Sequence, residues 1–181
     1  MGYNVIMLAL IGQFKALKIR SQQTNKIVGE LREPIINPDN LFIPAFKCVL
    51  VPNNTPCVIH IEDMLALENG AIIINDESNL MDMNDLVRLK EIEKLNFSLI
   101  EKPVRTKSDK KVGKVLDYAI EDTTFYIQKL TVAPTFTRGL TAGNLMIDRS
   151  QVYEVTNKKV VINDIEGKEK SKSTILGYLA S

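Results

Sequence analysis

Residues 72–76 read Ile-Ile-Ile-Asn-Asp, and residues 160–164 read Val-Val-Ile-Asn-Asp. One five-residue likeness means little, so the flanks decide. Before the first block stands IHIEDMLALENGA (59–71), and before the second LMIDRSQVYEVTNKK (145–159). Both pass from apolar residues through an acid to an apolar-acidic alternation and a polar turn. Further upstream, LALIGQ (8–13) matches FSLIEK (97–102), and IVGEL (27–31) matches KVGKVL (111–116). Four matches fall in the same order, offset by 84 to 89 positions. That order implies an internal duplication, with length changes confined to the loops, where they are tolerated.

The pattern inside each repeat is that of strands. Val112, Val115 and Ala119, then Phe125, Ile127, Leu130 and Val132, lie in runs rich in β-branched and aromatic residues. Polar turns separate them at 107–111 and at Glu121-Asp122. In the first repeat the breaks fall at 21–25, 37–39 and 51–56. Gly29 and Gly113 stand at matching places, and an isolated strand glycine marks a bulge or tight bend. Such bends let a short sheet curl on itself and lose its open edges. The expected fold is all-β: two small β-barrels in tandem, of about 75 residues and five or six strands each.

The segment between the repeats breaks that pattern. In 81–96, Leu86, Leu89, Ile92 and Leu95 fall near helical spacing. Asp82 or Asn84 is placed to cap the start, Asp85 suits the positive end, and Lys94 the other. A short α-helix joining the barrels is expected, as a strut or as a dimerisation helix. The organisation is then a first barrel over 1–80, a linker helix over 81–96, a second barrel over 97–165, and a tail over 166–181. The tail is charged to Ser173 and apolar over 174–179, suited to dock on its own chain or a partner.

Composition narrows the function. A 45% hydrophobic and 25% charged chain with net charge +1 demands neither nucleic acid nor an anionic membrane. Charge is uneven: residues 1–80 carry six basic and eight acidic side chains, residues 99–164 eleven and eight. Two cysteines, Cys48 and Cys57, make neither a disulfide framework nor a zinc cluster, and read as buried free thiols in a reducing cytoplasm. The longest apolar run, 5–11, is too short to span a bilayer, so no membrane insertion is expected. That run also lacks a preceding basic residue, as a signal peptide would have, and the N-terminus lacks the myristoylation pattern. The sequons at Asn53 and Asn96 read as chance.

The stretch FSLIEKPVRTKSDKKVGKVLDYAIEDTTFYIQKLTV (97–132) and the closing LMIDRSQVYEVTNKKVVIND (145–164) resemble the PRC-barrel domain family. The shared features are a hydrophobic start, a polar hairpin, V-G-K-V-x-D, a long strand pair and a last hairpin. The resemblance covers 97–164 and, less closely, about 7–77. There Glu30 and Leu31 replace Lys114 and Val115, and the loop 52–56 is inserted. It implies a β-barrel binding module. Relatives include the cytoplasmic part of a photosynthetic reaction-centre subunit, the C-terminal domain of the ribosome maturation factor RimM, and archaeal cell-division proteins. The chain lacks the reaction-centre subunit's membrane helix, and its first half looks like a second PRC barrel rather than RimM's different first barrel.

The catalytic inventory is thin. The single histidine, His60, lies between Ile59 and Ile61 in a strand and reads as a strand-face residue. Gly139–Gly143 lacks the lysine and hydroxyl of a phosphate loop and reads as a barrel loop. The neighbours Glu62/Asp63 and Glu121/Asp122 would point to opposite strand faces, and read as solvated turn acids. Asp76 and Asp164 end the repeated blocks and are expected to hydrogen-bond in the closing turns. No enzyme, cofactor or metal site is expected.

One feature looks functional. Lys102, Arg105, Lys107, Lys110, Lys111 and Lys114 lie within 13 positions of one hairpin, with Glu101 and Asp109 among them. They suit RNA phosphate or an acidic protein, or simply a solvated hairpin guarding a sheet edge. Tyr118, Phe125 and Tyr126 come later and are expected to serve the core, so stacking of single-stranded RNA is not indicated. Two functions stay open: an adaptor binding another protein, with a homodimer among the options, and an RNA- or ribosome-associated factor. A ligand-binding barrel or enzyme is a third.

Overall fold

A computed structural model describes residues 8–85, 87–135 and 143–164 of the 181-residue chain. The described residues form mostly strands, in two sheets, with one short α-helix. The first-half strands are β1 (Leu8–Leu10), β2 (Lys18–Ser21), β3 (Ile27–Asn37), β4 (Phe42–Leu50), β5 (Pro56–His60), β6 (Ala66–Glu68) and β7 (Ala71–Ile74). After α1 (Val87–Lys94) come β8 (Pro103–Thr106), β9 (Lys111–Glu121), β10 (Ile127–Pro134), β11 (Leu145–Asp148), β12 (Val152–Val155) and β13 (Val160–Ile162). The all-β class expected from the sequence is what forms. Gly139 and the residues from 165 onward fall outside the described residues.

The duplication is visible in the strand order. One sheet runs β5-β4-β3-β2-β7-β6, the other β11-β10-β9-β8-β13-β12. In each, the repeated Ile-Ile-Ile and Val-Val-Ile blocks form the strand that pairs in parallel with the first hairpin strand, β7 with β2 and β13 with β8. Both blocks lie between two other strands, which is why they are apolar throughout rather than alternating. The bulges recur too. Gly29 pairs with Ile19 and Gly113 with Val104, and each ladder shifts register at the next residue.

The halves share one hydrophobic cluster, which includes Phe14, Ile19, Phe46, Val104, Tyr118 and Ile127. Strand β1 lies before residue 80, yet it pairs with β9 of the other sheet, Leu8 opposite Glu121 and Leu10 opposite Ala119. The junction is built from equivalent positions. Ile43 N–H donates to the Phe125 carbonyl at 3.1 Å, and Ile127 N–H to that of Leu41 at 2.9 Å. Leu41 and Phe125 both have left-handed backbones, with φ of 55° and 56°. Large side chains there cost of order 1–3 kcal/mol each, offset by these two bonds and by the apolar surface they bury. Phe125 meets Phe14 and Phe46 edge-on, both at 6.2 Å.

The helix is shorter than its sequence signal. Met81 is held by two backbone bonds to Val58, at 2.9 and 3.0 Å, and Met83–Asp85 makes a 3-10 turn. Asp82 accepts from Asn84 N–H at 2.7 Å, so it caps that turn and not the helix. Leu89 is buried on Ile35, Ala45 and Val58, with Ile92 beside it. Leu95 is instead exposed, and Leu86 lies outside the described residues. The helix therefore seats its apolar face on the first sheet of its own chain.

Candidate functional site

A cleft of about 890 Å³ opens between the halves. The long strands β3 and β9 line it with equivalent residues, Arg32, Glu33 and Pro34 from one and Leu116, Asp117 and Tyr118 from the other. Ile11 and Ile100, themselves equivalent, flank it, and Ile92 and Phe97 extend its apolar wall. Ile100 and Leu116 are exposed. A Lys47–Glu93 ion pair at 2.9 Å ties β4 to the helix along the rim.

The cleft contains a gap in strand pairing. Beyond Val115, which bonds to Glu101 and Lys102, β9 passes the cleft before meeting β1 at Ala119. Within that gap the Tyr118 N–H donates to the Asp117 carboxylate at 2.7 Å, a side chain standing where a neighbouring strand would accept. At the equivalent place β3 has Pro34, which has no N–H to satisfy. A proline inside a strand run, directly after Arg32 and Glu33, was the sequence signal at this edge. The Tyr118 ring is buried, and burial, then the charges of Asp117 and Glu33, push its hydroxyl above the ordinary range. It stays a neutral donor at any physiological pH.

The basic hairpin is folded largely onto itself. Arg105 pairs with Asp109 at 3.0 Å, and Lys114 with Glu101 at 3.2 Å. Lys102 donates to the Asn157 carbonyl at 2.7 Å and lies over the Phe97 ring, and its partial burial lowers its pKa. Lys107 sits 3.7 Å over the Tyr153 ring. Lys110 and Lys111 form no ion pair among the described residues. Arg105 and Lys111 face each other across β8 and β9. The sequence reading missed both aromatic contacts because Phe97 and Tyr153 lie outside the hairpin.

The remaining candidates also find places. Cys48 and Cys57 are free, buried and directly opposite each other on β4 and β5. The hydrogen bond to Cys57 and burial push the Cys48 thiol far up. His60 is half-buried at the end of β5. Asp76 caps the turn after β7 through Ser78 N–H at 2.7 Å, and Asp164 accepts from Ser108 Oγ at 2.5 Å. Both lie below the usual carboxylate range, Asp76 because of the Ser78 hydroxyl and then the Ser78 N–H, Asp164 because of the Ser108 hydroxyl and then that of Thr106. The expectation of solvated turn acids fails at Asp122, one of whose carboxylate oxygens is buried and without a partner among the described residues. That residue lies in the β9–β10 turn. Asp63, by contrast, accepts from the Asn79 amide at 2.9 Å.

Among the described residues no group of three His, Cys, Asp or Glu is placed to hold a metal, and no helix is long and apolar enough to cross a membrane. No protein-family model matches the chain, and a search of curated proteins returns no match.

Proposed function

We propose that the protein is a non-enzymatic, cytoplasmic adaptor that binds another protein in the cleft between its halves. Each half is read as a PRC-type barrel, a reading supported by the six-strand order that the two halves share. The observation that carries the adaptor reading is the open edge of β9 between its pairings with β8 and β1, where the Tyr118 N–H is held by its own neighbour's side chain beside exposed Ile100 and Leu116. An extended segment of a partner would pair there through its backbone and set an apolar side chain between them. Photo-crosslinking tests it. A crosslinker at Ile100 is expected to capture a discrete protein in source-cell lysate, and Leu116→Asp to suppress the capture. Equal capture from the exposed turn residue Lys158 would overturn the reading.

A second reading is an RNA- or ribosome-associated factor. It is supported by Lys110 and Lys111, which have no ion pair among the described residues, and by the like-charge facing of Arg105 and Lys111. Binding to ribosomal particles should then weaken with salt. Replacing Lys110, Lys111 and Lys114 should lower the log-log slope by roughly 2–3. Absence of binding at low salt would exclude it.

A further inference from the structure

The duplication supplies an internal control for one arginine. Arg20 and Arg105 hold the same place, the third residue of β2 and of β8. Their surroundings share a plan. Arg20 lies opposite Ile73, which lies opposite Ala66; Arg105 lies opposite Val161, which lies opposite Glu154. In each hairpin a left-handed residue follows, Asn25 with φ of 56° and Asp109 with φ of 61°.

The difference is charge. The Arg105 guanidinium bonds the Asp109 carboxylate at 3.0 Å and its carbonyl at 2.9 Å. Among the described residues Arg20 has only the neutral amide oxygen of Asn25, at 3.5 Å, the limit of a hydrogen bond. Its Nε is buried with no partner, and it forms no ion pair among the described residues. Across the ladder its neighbours are Ile27 and Ile73. A half-buried guanidinium on an apolar floor, without the counter-charge its twin carries, is an unfinished ion pair.

Arg20 opens on a cavity of about 280 Å³, lined also by Gln22, Asn25 and Asn69, whose amides can donate, and by Glu68. Glu68 is exposed at the end of β6 and lies beyond ion-pair distance of Arg20. The volume suits one small head group. We infer that this cavity is an oxyanion site, in which Arg20 takes a carboxylate or phosphate group in the role that Asp109 fills for Arg105. The guanidinium fork matches both groups. The site lies on the outer face of the first sheet and does not depend on the cleft reading.

The test follows the Nε–Hε resonance of Arg20 in the full-length protein, assigned by its loss in Arg20→Lys. Sodium phosphate and sodium acetate are titrated separately at constant ionic strength. A saturable shift is expected with at least one. Phosphate alone would assign a phosphate-bearing ligand, and acetate alone a carboxylate-bearing one. Asn25→Asp installs the missing counter-charge and should weaken binding at least tenfold. Asp109→Asn should make the Arg105 resonance respond in the same way. Backbone amide spectra confirm that each variant is folded. Linear, unsaturated shifts with both salts, or unchanged binding in Asn25→Asp, would overturn the inference.

Discussion

Gly113 lies so close to Ala133 that a Cβ added to it would stand 1.9 Å from the Ala133 carbonyl oxygen. At the equivalent Gly29 the same construction gives 3.0 Å to the Val49 carbonyl oxygen. Both obstacles are backbone of the neighbouring strand, so neither side can yield by a rotamer change. Gly113→Ala should therefore cost about 3 kcal/mol or more, and Gly29→Ala about 1–2 kcal/mol. Urea denaturation of the two variants checks the order, and equal costs would contradict it.

The core shared by the halves should make the described residues unfold as one cooperative unit. Calorimetry should give a single transition whose calorimetric and van't Hoff enthalpies agree. At the junction the Phe42 and Tyr126 rings lie 4.9 Å apart. A double-mutant cycle to alanine should give a coupling of about 0.5–1.5 kcal/mol. Two separated transitions would show halves that fold independently.

Acid sensitivity follows from Asp164. Its folded pKa lies below the ordinary value of about 3.9. A depressed carboxylate contributes stability in full above the unfolded pKa and loses it as pH falls through the folded pKa. The contribution should thus be complete above about pH 5 and fade below about pH 4. Asp164→Asn should be less stable than the parent at pH 7, with the difference shrinking toward pH 2–3. Denaturation across that range checks the sign.

The paired thiols give a probe of opening. Cys48 and Cys57 are buried and Cys48 is held protonated, so a water-soluble disulfide reagent should leave Cys48 unmodified in the folded protein. Both thiols should react on unfolding, at a rate that follows urea concentration. Fast labelling of both in the native state would contradict their placement.

Much of this fold was legible because it is written locally and twice. The apolar blocks at 72–74 and 160–162, and the glycines beside the bulges, carry strand and bend information within a few residues. The junction was not legible. Nothing near Leu8 announces pairing with Glu121, since that contact follows from how the halves pack. The helix signal overran its start because Met81 is apolar for a different reason, its pairing with Val58. The basic run was plain in the sequence. Its neutralisation was only half plain: Asp109 is close in sequence to Arg105, but Tyr153 is remote from Lys107. The cleft was invisible because its walls, at 32–34 and 116–118, meet only in three dimensions.

Strand β1 also sets a timetable for synthesis. Ala119–Glu121, against which Leu8–Leu10 pair, are added to the chain more than a hundred residues after them. Until then the backbone of this segment has no strand to pair with. It is a clasp whose catch is made late, so this edge of β9 closes only once translation has passed residue 121.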